Sequence, residues 1–311
     1  MTDGAIDRPT IRILFAGAVE RPRSFRYRVS QVEIRTAREI EELTPFAVSV
    51  GASDRVWTEE PSWVATSRDL PVVYDGSGCI GGREVRVLGR AAGVRHCLEI
   101  EDGTILSLAE QDGECFLWVT VGSDPMASRL AVLGPGLAVA LALLGCFSLH
   151  AGAVMVAGST LVIMGKSGSG KSTMSAFASE RSGCRRVADD VVPVRVSPRG
   201  EMTVVPRFPQ LKLVSTAQWT GESALICRTL LCLTRDSGAR VPEFSELSTR
   251  DGVLRLLEST VASRLFSMEL RERELDAWAL AAARNHILDW RVPEDPDRLV
   301  EIFASLASFR C

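Results

Sequence analysis

Lysine is nearly absent from this chain: of its 36 basic residues only Lys166, Lys171 and Lys212 are lysines. So strong an arginine bias follows genome composition more readily than binding, and its one consequence is that the lysine kept at 171 stands out. Histidine is scarce too, with three residues, and the eight cysteines at 79, 97, 115, 146, 184, 227, 232 and 311 form no C-x-x-C pair. A zinc site is therefore not expected. There is no excess of positive charge either: a net charge of −3 and a pI near 5.8 argue against a nucleic-acid partner, which needs concentrated basic surface. The first residues, Met1-Thr-Asp-Gly-Ala-Ile-Asp7, carry acids where a secretory leader would be basic. With 311 residues and 46 % hydrophobic content the chain can bury a good core without disulfides, so it reads as a reduced, cytoplasmic protein. Formal charge is missing altogether from Leu130 to Gly165. A membrane span is not the expectation there, because Gly134-Pro135-Gly136 interrupts the run and His150 lies inside it; a buried helix around 137 to 145 followed by core strands accounts for it better.

What is present is a phosphate cradle. Gly165-Lys166-Ser167-Gly168-Ser169-Gly170-Lys171-Ser172-Thr173 fits G-x-x-x-x-G-K-[ST], a loop whose backbone N–H groups surround phosphate oxygens while the lysine adds charge and the hydroxyl reaches Mg²⁺. Ser159 to Met164, apolar and short, predicts a buried strand delivering that loop. Ser172 to Ser182 predicts a helix of about eleven residues closed by a left-handed Gly183. In that order, first-turn N–H groups and the positive end of the helix dipole face bound phosphate. Cys184 to Ala188 predicts a return strand beside the one feeding the loop, ending in Asp189-Asp190 at the sheet edge where the γ-phosphate would sit. Carboxylates there can hold Mg²⁺ and accept the proton of an attacking hydroxyl.

Two regions are expected around this core. Residues 1 to 128 read as β-rich, with strand-prone runs at Ile11 to Ala16, Phe25 to Val32, Val85 to Leu88, Cys97 to Ile100, Thr104 to Leu108 and Cys115 to Val121. Asp102-Gly103 and Asp112-Gly113 signal type I′ hairpin turns. Trp57, Trp63 and Trp118 fit core packing better than a peptide-binding face. The second region, 129 to 311 with a boundary near Gly122-Ser-Asp-Pro125, carries the chemistry and then turns helical. Leu270 to Arg284 predicts one helix; Leu299, Ile302, Phe303 and Leu306, behind an Asp295-Pro296 start, predict another. Thr229 to Asp236 is a β-prone run whose terminal acid rivals Asp189-Asp190 as a metal holder.

Taken together, Leu149-His150-Ala, the glycine loop at 165 to 172 and V-A-D-D-V at 187 to 191 resemble the core of bacterial HPr serine kinase/phosphorylases. The likeness is closer still to HPr-kinase-related kinases of peptide-modification systems, including those acting on lasso-peptide precursors. Pro206-Arg-Phe-Pro-Gln-Leu-Lys212-Leu is similar to a proline-rich segment of those relatives. The resemblance covers 150 to 190 and extends over 130 to 311. It implies an α/β fold in which a β-rich N-terminal domain precedes a P-loop kinase core of the HPr kinase/phosphoenolpyruvate carboxykinase type.

Residue by residue, the resemblance makes Lys171 the β/γ-phosphate ligand and Ser172 a Mg²⁺ ligand. Asp190 becomes the general base with Asp189 assisting at the metal, though the two could exchange roles. His150 would orient a carboxylate or contact phosphate, and Arg207 and Lys212 are candidates for substrate contact. The glutamate-containing segment that HPr kinase/phosphorylases carry after the acidic pair is not found here, which puts phosphorolysis and HPr as substrate in doubt. The expectation is a kinase using ATP and Mg²⁺ on a serine of a peptide or small protein, with no nucleic-acid or membrane partner; a homo-oligomer is left open. A noncatalytic nucleotide-binding regulator and a small-molecule kinase are the alternatives.

Overall fold

The structure is a computed structural model describing residues 9–16, 23–36, 38–52, 61–181, 183–209, 221 and 223–308. It is a mixed α/β protein built on two large sheets. The chain divides into two compact units, one of residues 1–145 with 262–272 and one of 146–261 with 273–311. Relative to the expected boundary near 128, residues 129–145 and the segment 262–272 belong to the first unit and not to the second.

The first unit's sheet has the order β4-β2-β3-β1-β9-β8-β7-β6-β5. Its strands are β1 (Thr10–Phe15), β2 (Arg23–Val29), β3 (Val32–Thr36), β4 (Ala47–Ala52), β5 (Val72–Ile80), β6 (Arg83–Ala92), β7 (Arg95–Ile100), β8 (Ile105–Gln111) and β9 (Glu114–Thr120). The run expected from Phe25 to Val32 is in fact broken: Ser30 and Gln31 both take positive φ and turn β2 back into β3. Asp112 and Gly113, with φ of 53° and 78°, make the predicted I′ turn between β8 and β9. The 102–103 turn is different. Only Gly103 has positive φ, while the Asp102 carboxylate accepts from Thr104 N and Oγ1, an Asx turn in place of I′. Trp118 is buried in this unit's core and Trp63 is half-buried in the short helix α1 (Ser62–Ala65); Trp57 lies outside the described residues.

Asp124 caps α2 (Pro125–Ala131), accepting from Met126 N and Ala127 N. A π-turn at Val132–Gly136 follows and takes up Pro135, whose ring cannot fit an unbroken α-helical ladder. The helix resumes as α3 (Leu137–Leu143), in which every residue is buried. The run Pro125–Leu143 is long and apolar enough to cross a membrane, but 67 % of its most apolar window is buried inside the protein, as a core helix requires.

His96, on β7, is fully buried in the first unit and its Nε2 accepts from Ser267 N. Burial pushes its pKa down to about 4 from the ordinary 6.5. Between those values the unfolded chain binds a proton that the folded chain refuses, so the contribution of His96 to stability falls as pH falls from 6.5 to about 4, by on the order of 3 kcal/mol. His96→Gln keeps an acceptor for Ser267 N and should flatten that slope, measured by urea unfolding at pH 7 and pH 4.5. Equal slopes in both proteins would contradict the assignment.

The second unit's sheet follows the path β10-β14-β15-β16-β12-β11-β13, with β18 beside β16 and β17 beside β18. The strands are β10 (Phe147–Leu149), β11 (Ala151–Val156), β12 (Ser159–Met164), β13 (Cys184–Ala188), β14 (Val192–Val196), β15 (Met202–Val204), β16 (Leu225–Asp236), β17 (Glu243–Glu246) and β18 (His286–Pro293). β10 stands at one end of the path and β11 near the other, yet only His150 separates them in sequence. Laid flat, five strand spacings would put them about 24 Å apart, which one residue cannot span. The sheet is therefore rolled, and its seam is crossed twice, at His150 and at Asp189–Val191.

Four helices belong to this part of the chain: α4 (Lys171–Ser179), α5 (Thr249–Ser259), α6 (Met268–Arg284, of which 273 onward lies in this unit) and α7 (Leu299–Ser308). Helix α4 has nine residues and not eleven; Gly183 is left-handed as expected, with φ of 77°. Asp295 accepts from Asp297 N at the start leading to α7, and Ile302, Phe303 and Leu306 join Met174 and Ala178 of α4 on Leu161, Ile163, Leu231, Leu233 and Trp290. One sheet face thus carries both α4 and α7.

Candidate active site

The hairpin β11–β12 turns at Ala157-Gly158, both with positive φ, and pairs Ala151 with Met164. β13 pairs antiparallel with β11, Ala153 opposite Ala188. The expectation that β13 lies directly beside β12 is thus corrected: β11 intervenes, because a tight hairpin claims the neighbouring position before the longer crossover through α4 returns. Being antiparallel to a common neighbour, β12 and β13 run the same way. Their ends, Met164 and Ala188, flank the start of β11, so His150, Gly165 and Asp189-Asp190 all leave the sheet at one edge. β16 runs parallel to β12, with Met164 opposite Cys232, and brings Thr234 to Asp236 to that edge as well.

The loop has the alternating backbone of an anion nest. Gly168 and Gly170 have φ of 80° and 99°, and Ser167 and Ser169, the residue before each, do not have positive φ. Close packing adds to the conformational demand: a β-carbon on Gly165 would lie 2.6 Å from Leu233 O. Lys171 is buried and its Nζ donates to Gly165 O at 2.7 Å and Lys166 O at 3.0 Å, which folds the cation over the loop. Ser172 and Thr173, in the first turn of α4, are exposed. A left-handed nest, a cation folded over it and an open hydroxyl at a helix N-terminus fit a nucleotide phosphate with its Mg²⁺.

The acidic pair divides into a buried and an open member. Asp189 is 6 % exposed; its Oδ1 accepts from Ser175 Oγ of α4 at 3.4 Å, and Arg186 Nη1 lies 3.9 Å from Oδ2. Asp190 is half-buried and left-handed, φ 79°, a conformation aspartate tolerates better than most residues and one that the seam crossing imposes. His150 Nδ1 is 3.1 Å from Asp190 O and 3.3 Å from Asp190 Oδ1. Both oxygens are acceptors when Asp190 is ionised, which assigns the proton to Nδ1. The histidine and the acid meet although 40 residues separate them.

Arg207 is half-buried and left-handed as well, φ 69°. Val205 N donates to Pro193 O, so the chain beyond β15 runs back along the start of β14 toward the Asp190 corner. Lys212 lies outside the described residues. Asp236, the rival acid, is the last residue of β16, and its Oδ1 accepts from Gly238 N at 2.8 Å, closing a turn. Arg235 is the residue that sequence reasoning passed over: its Nε donates to Ser169 O at 2.9 Å and its Nη1 to Glu294 O at 2.9 Å. No sequence signal marks it, because both acceptors are main-chain carbonyls far away in the chain.

No family model matches the chain, and no curated protein does. Among solved structures the chain is similar to the HPr(Ser) kinase/phosphatase of Coxiella burnetii, at 12 % identity over 51 % of this chain and 87 % of that one, with a TM-score of 0.28.

Other chemistries find less support. Among the described residues no group of three or more histidines, cysteines or acids could hold a metal ion by itself. Burial pushes the Cys146 thiol up to about 12 and Cys232 up to about 11, which leaves neither nucleophilic near neutral pH. A cavity of about 210 Å³ between Glu246–Thr249 and Ala282–Ile287 opens at the start of β18, the sheet edge opposite the phosphate loop, and contains none of these site residues.

Proposed function

We propose that this chain is a phosphotransferase that moves the γ-phosphoryl group of ATP onto a serine hydroxyl of a peptide or small protein. The observation that carries the reading is the convergence on one sheet edge of the nest at Gly165–Thr173 with the His150–Asp190 pair and the buried Asp189. Phosphoryl transfer asks a protein mainly for positioning and charge, and these are the groups that supply them.

Lys171 Nζ, now on two loop carbonyls, would exchange them for β- and γ-phosphate oxygens, which are stronger acceptors. Ser172 and Asp189 would hold Mg²⁺, which when bound neutralises charge on the β- and γ-phosphates. The acceptor hydroxyl attacks the γ-phosphorus, the bond to the β–γ bridging oxygen breaks, ADP leaves with that electron pair, and the hydroxyl proton passes to the Asp190 carboxylate. His150 Nδ1–H holds that carboxylate in place. Arg207 and Lys212 are the basic groups proposed to meet the acceptor.

A peptide acceptor is favoured by the resemblance of the Leu149-His150 and V-A-D-D-V segments to peptide-modifying kinases, and by the absence of net basic charge for a nucleic acid. Incubating the chain with ATP, Mg²⁺ and serine-containing peptides should add one phosphate to a serine, read by mass spectrometry. Transfer to sugars or metabolites with every peptide untouched would remove the polypeptide acceptor and leave the nucleotide chemistry standing.

A further inference from the structure

We infer that Arg235 is a positioning residue that sets the direction of the phosphate-loop N–H groups; the inference rests on the nucleotide reading above. Arg235 follows Leu231 and Leu233 at alternate positions of β16, on the sheet face that carries α4, so its side chain reaches the loop from beneath. Its Nε bond to Ser169 O acts on one rigid peptide unit. The C=O of Ser169 and the N–H of Gly170 share a plane and point in opposite directions, so drawing the carbonyl toward Arg235 turns the Gly170 N–H the other way, into the nest. A cation on that carbonyl also polarises the peptide and makes the N–H a better donor.

The second bond, from Nη1 to Glu294 O, fixes the guanidinium plane between the loop and the segment that follows β18. Its third nitrogen, Nη2, donates to no acceptor among the described residues and lies 2.7 Å from where a β-carbon on Gly170 would be. Glycine is therefore required at 170 twice, by its φ of 99° and by the space the Arg235 guanidinium fills. Arg235 makes the two bonds from two different nitrogens of one rigid plane, whereas a lysine has a single freely rotating ammonium that does not fix their directions.

The test uses the full-length chain carrying Arg235→Ala, Arg235→Lys or Arg235→Gln, with Lys171→Ala for comparison. Calorimetry gives the affinity for Mg²⁺ with a nonhydrolysable ATP analogue, and ADP release gives KM and kcat. Arg235→Ala should weaken analogue binding and raise KM by about tenfold or more with kcat changed less than about threefold, the pattern of a group that shapes the binding loop without touching the reacting phosphoryl. Added ethylguanidinium should recover part of the affinity, and Arg235→Lys should recover little. Arg235→Lys and Arg235→Gln keep the side-chain stem, so a fold lost in the alanine variant leaves the comparison intact. Unchanged affinity, a fall in kcat at unchanged KM, or full rescue by lysine would each overturn the inference. If Lys171→Ala also leaves binding unchanged, the nucleotide site itself is wrong; if Lys171→Ala abolishes binding and the Arg235 variants do not weaken it, only the role of Arg235 falls.

Discussion

Lys171→Ala will cost the protein at least tenfold in affinity for Mg·ATP and on the order of a hundredfold or more in turnover, the scale set by removing one preorganised donor to developing charge. The side chain is buried, and its ammonium sits on Gly165 O and Lys166 O, so its charge is already in place before any phosphate arrives. On binding it exchanges those two carbonyls for phosphate oxygens, which are stronger acceptors. The substitution also leaves two loop carbonyls without their donor, so circular dichroism should accompany the titration to show that α4 still forms. Calorimetry with a nonhydrolysable analogue reads the affinity and ADP release reads the turnover. Unchanged values of both would remove the phosphate-loop assignment.

The second large effect is expected at the seam of the rolled sheet. Asp190→Asn should leave nucleotide binding near its original strength while transfer falls by roughly a hundredfold or more, the usual worth of a general base. Asparagine is the informative replacement here because Asp190 has φ of 79°, and asparagine tolerates that region as aspartate does. The corner is kept while the base is lost. The His150 contact changes character too, since Nδ1–H would meet a neutral amide in place of a carboxylate oxygen. A variant that transfers phosphate at the original rate would send the base to Asp189, whose carboxylate is buried and partnered by Ser175, or to Asp236, which closes a turn with Gly238.

Much of this site is legible in the sequence because its central part is local. Ser159–Met164, the glycine loop and Lys171–Ser179 follow one another within about twenty residues, so hydrophobic period and turn chemistry suffice to order them. Helix α7 is equally plain from Leu299, Ile302, Phe303 and Leu306. What the pattern does not contain is lateral order. Ala151–Val156 reads as an apolar strand on any neighbour, and nothing in it says that it would stand between β12 and β13. The Ser30–Gln31 turn escaped for a related reason, since neither residue is a usual choice for positive φ and the strand pairing on both sides imposes it. Arg235 shows the same limit at the level of a single side chain: its partners are the carbonyls of Ser169 and Glu294, and carbonyls carry no sequence identity.

A crystal structure of the chain with Mg²⁺ and a nonhydrolysable ATP analogue would show whether the glycine loop and the acidic pair hold one nucleotide between them. The β- and γ-phosphates are expected on the N–H groups of Gly168 and Gly170 to Ser172, with Lys171 Nζ moved from the loop carbonyls onto phosphate oxygens, and the γ-phosphate facing Asp190 with the metal between Ser172 and Asp189. A nucleotide bound elsewhere, or one seated in the loop with its γ-phosphate turned away from Asp189 and Asp190, would contradict that expectation.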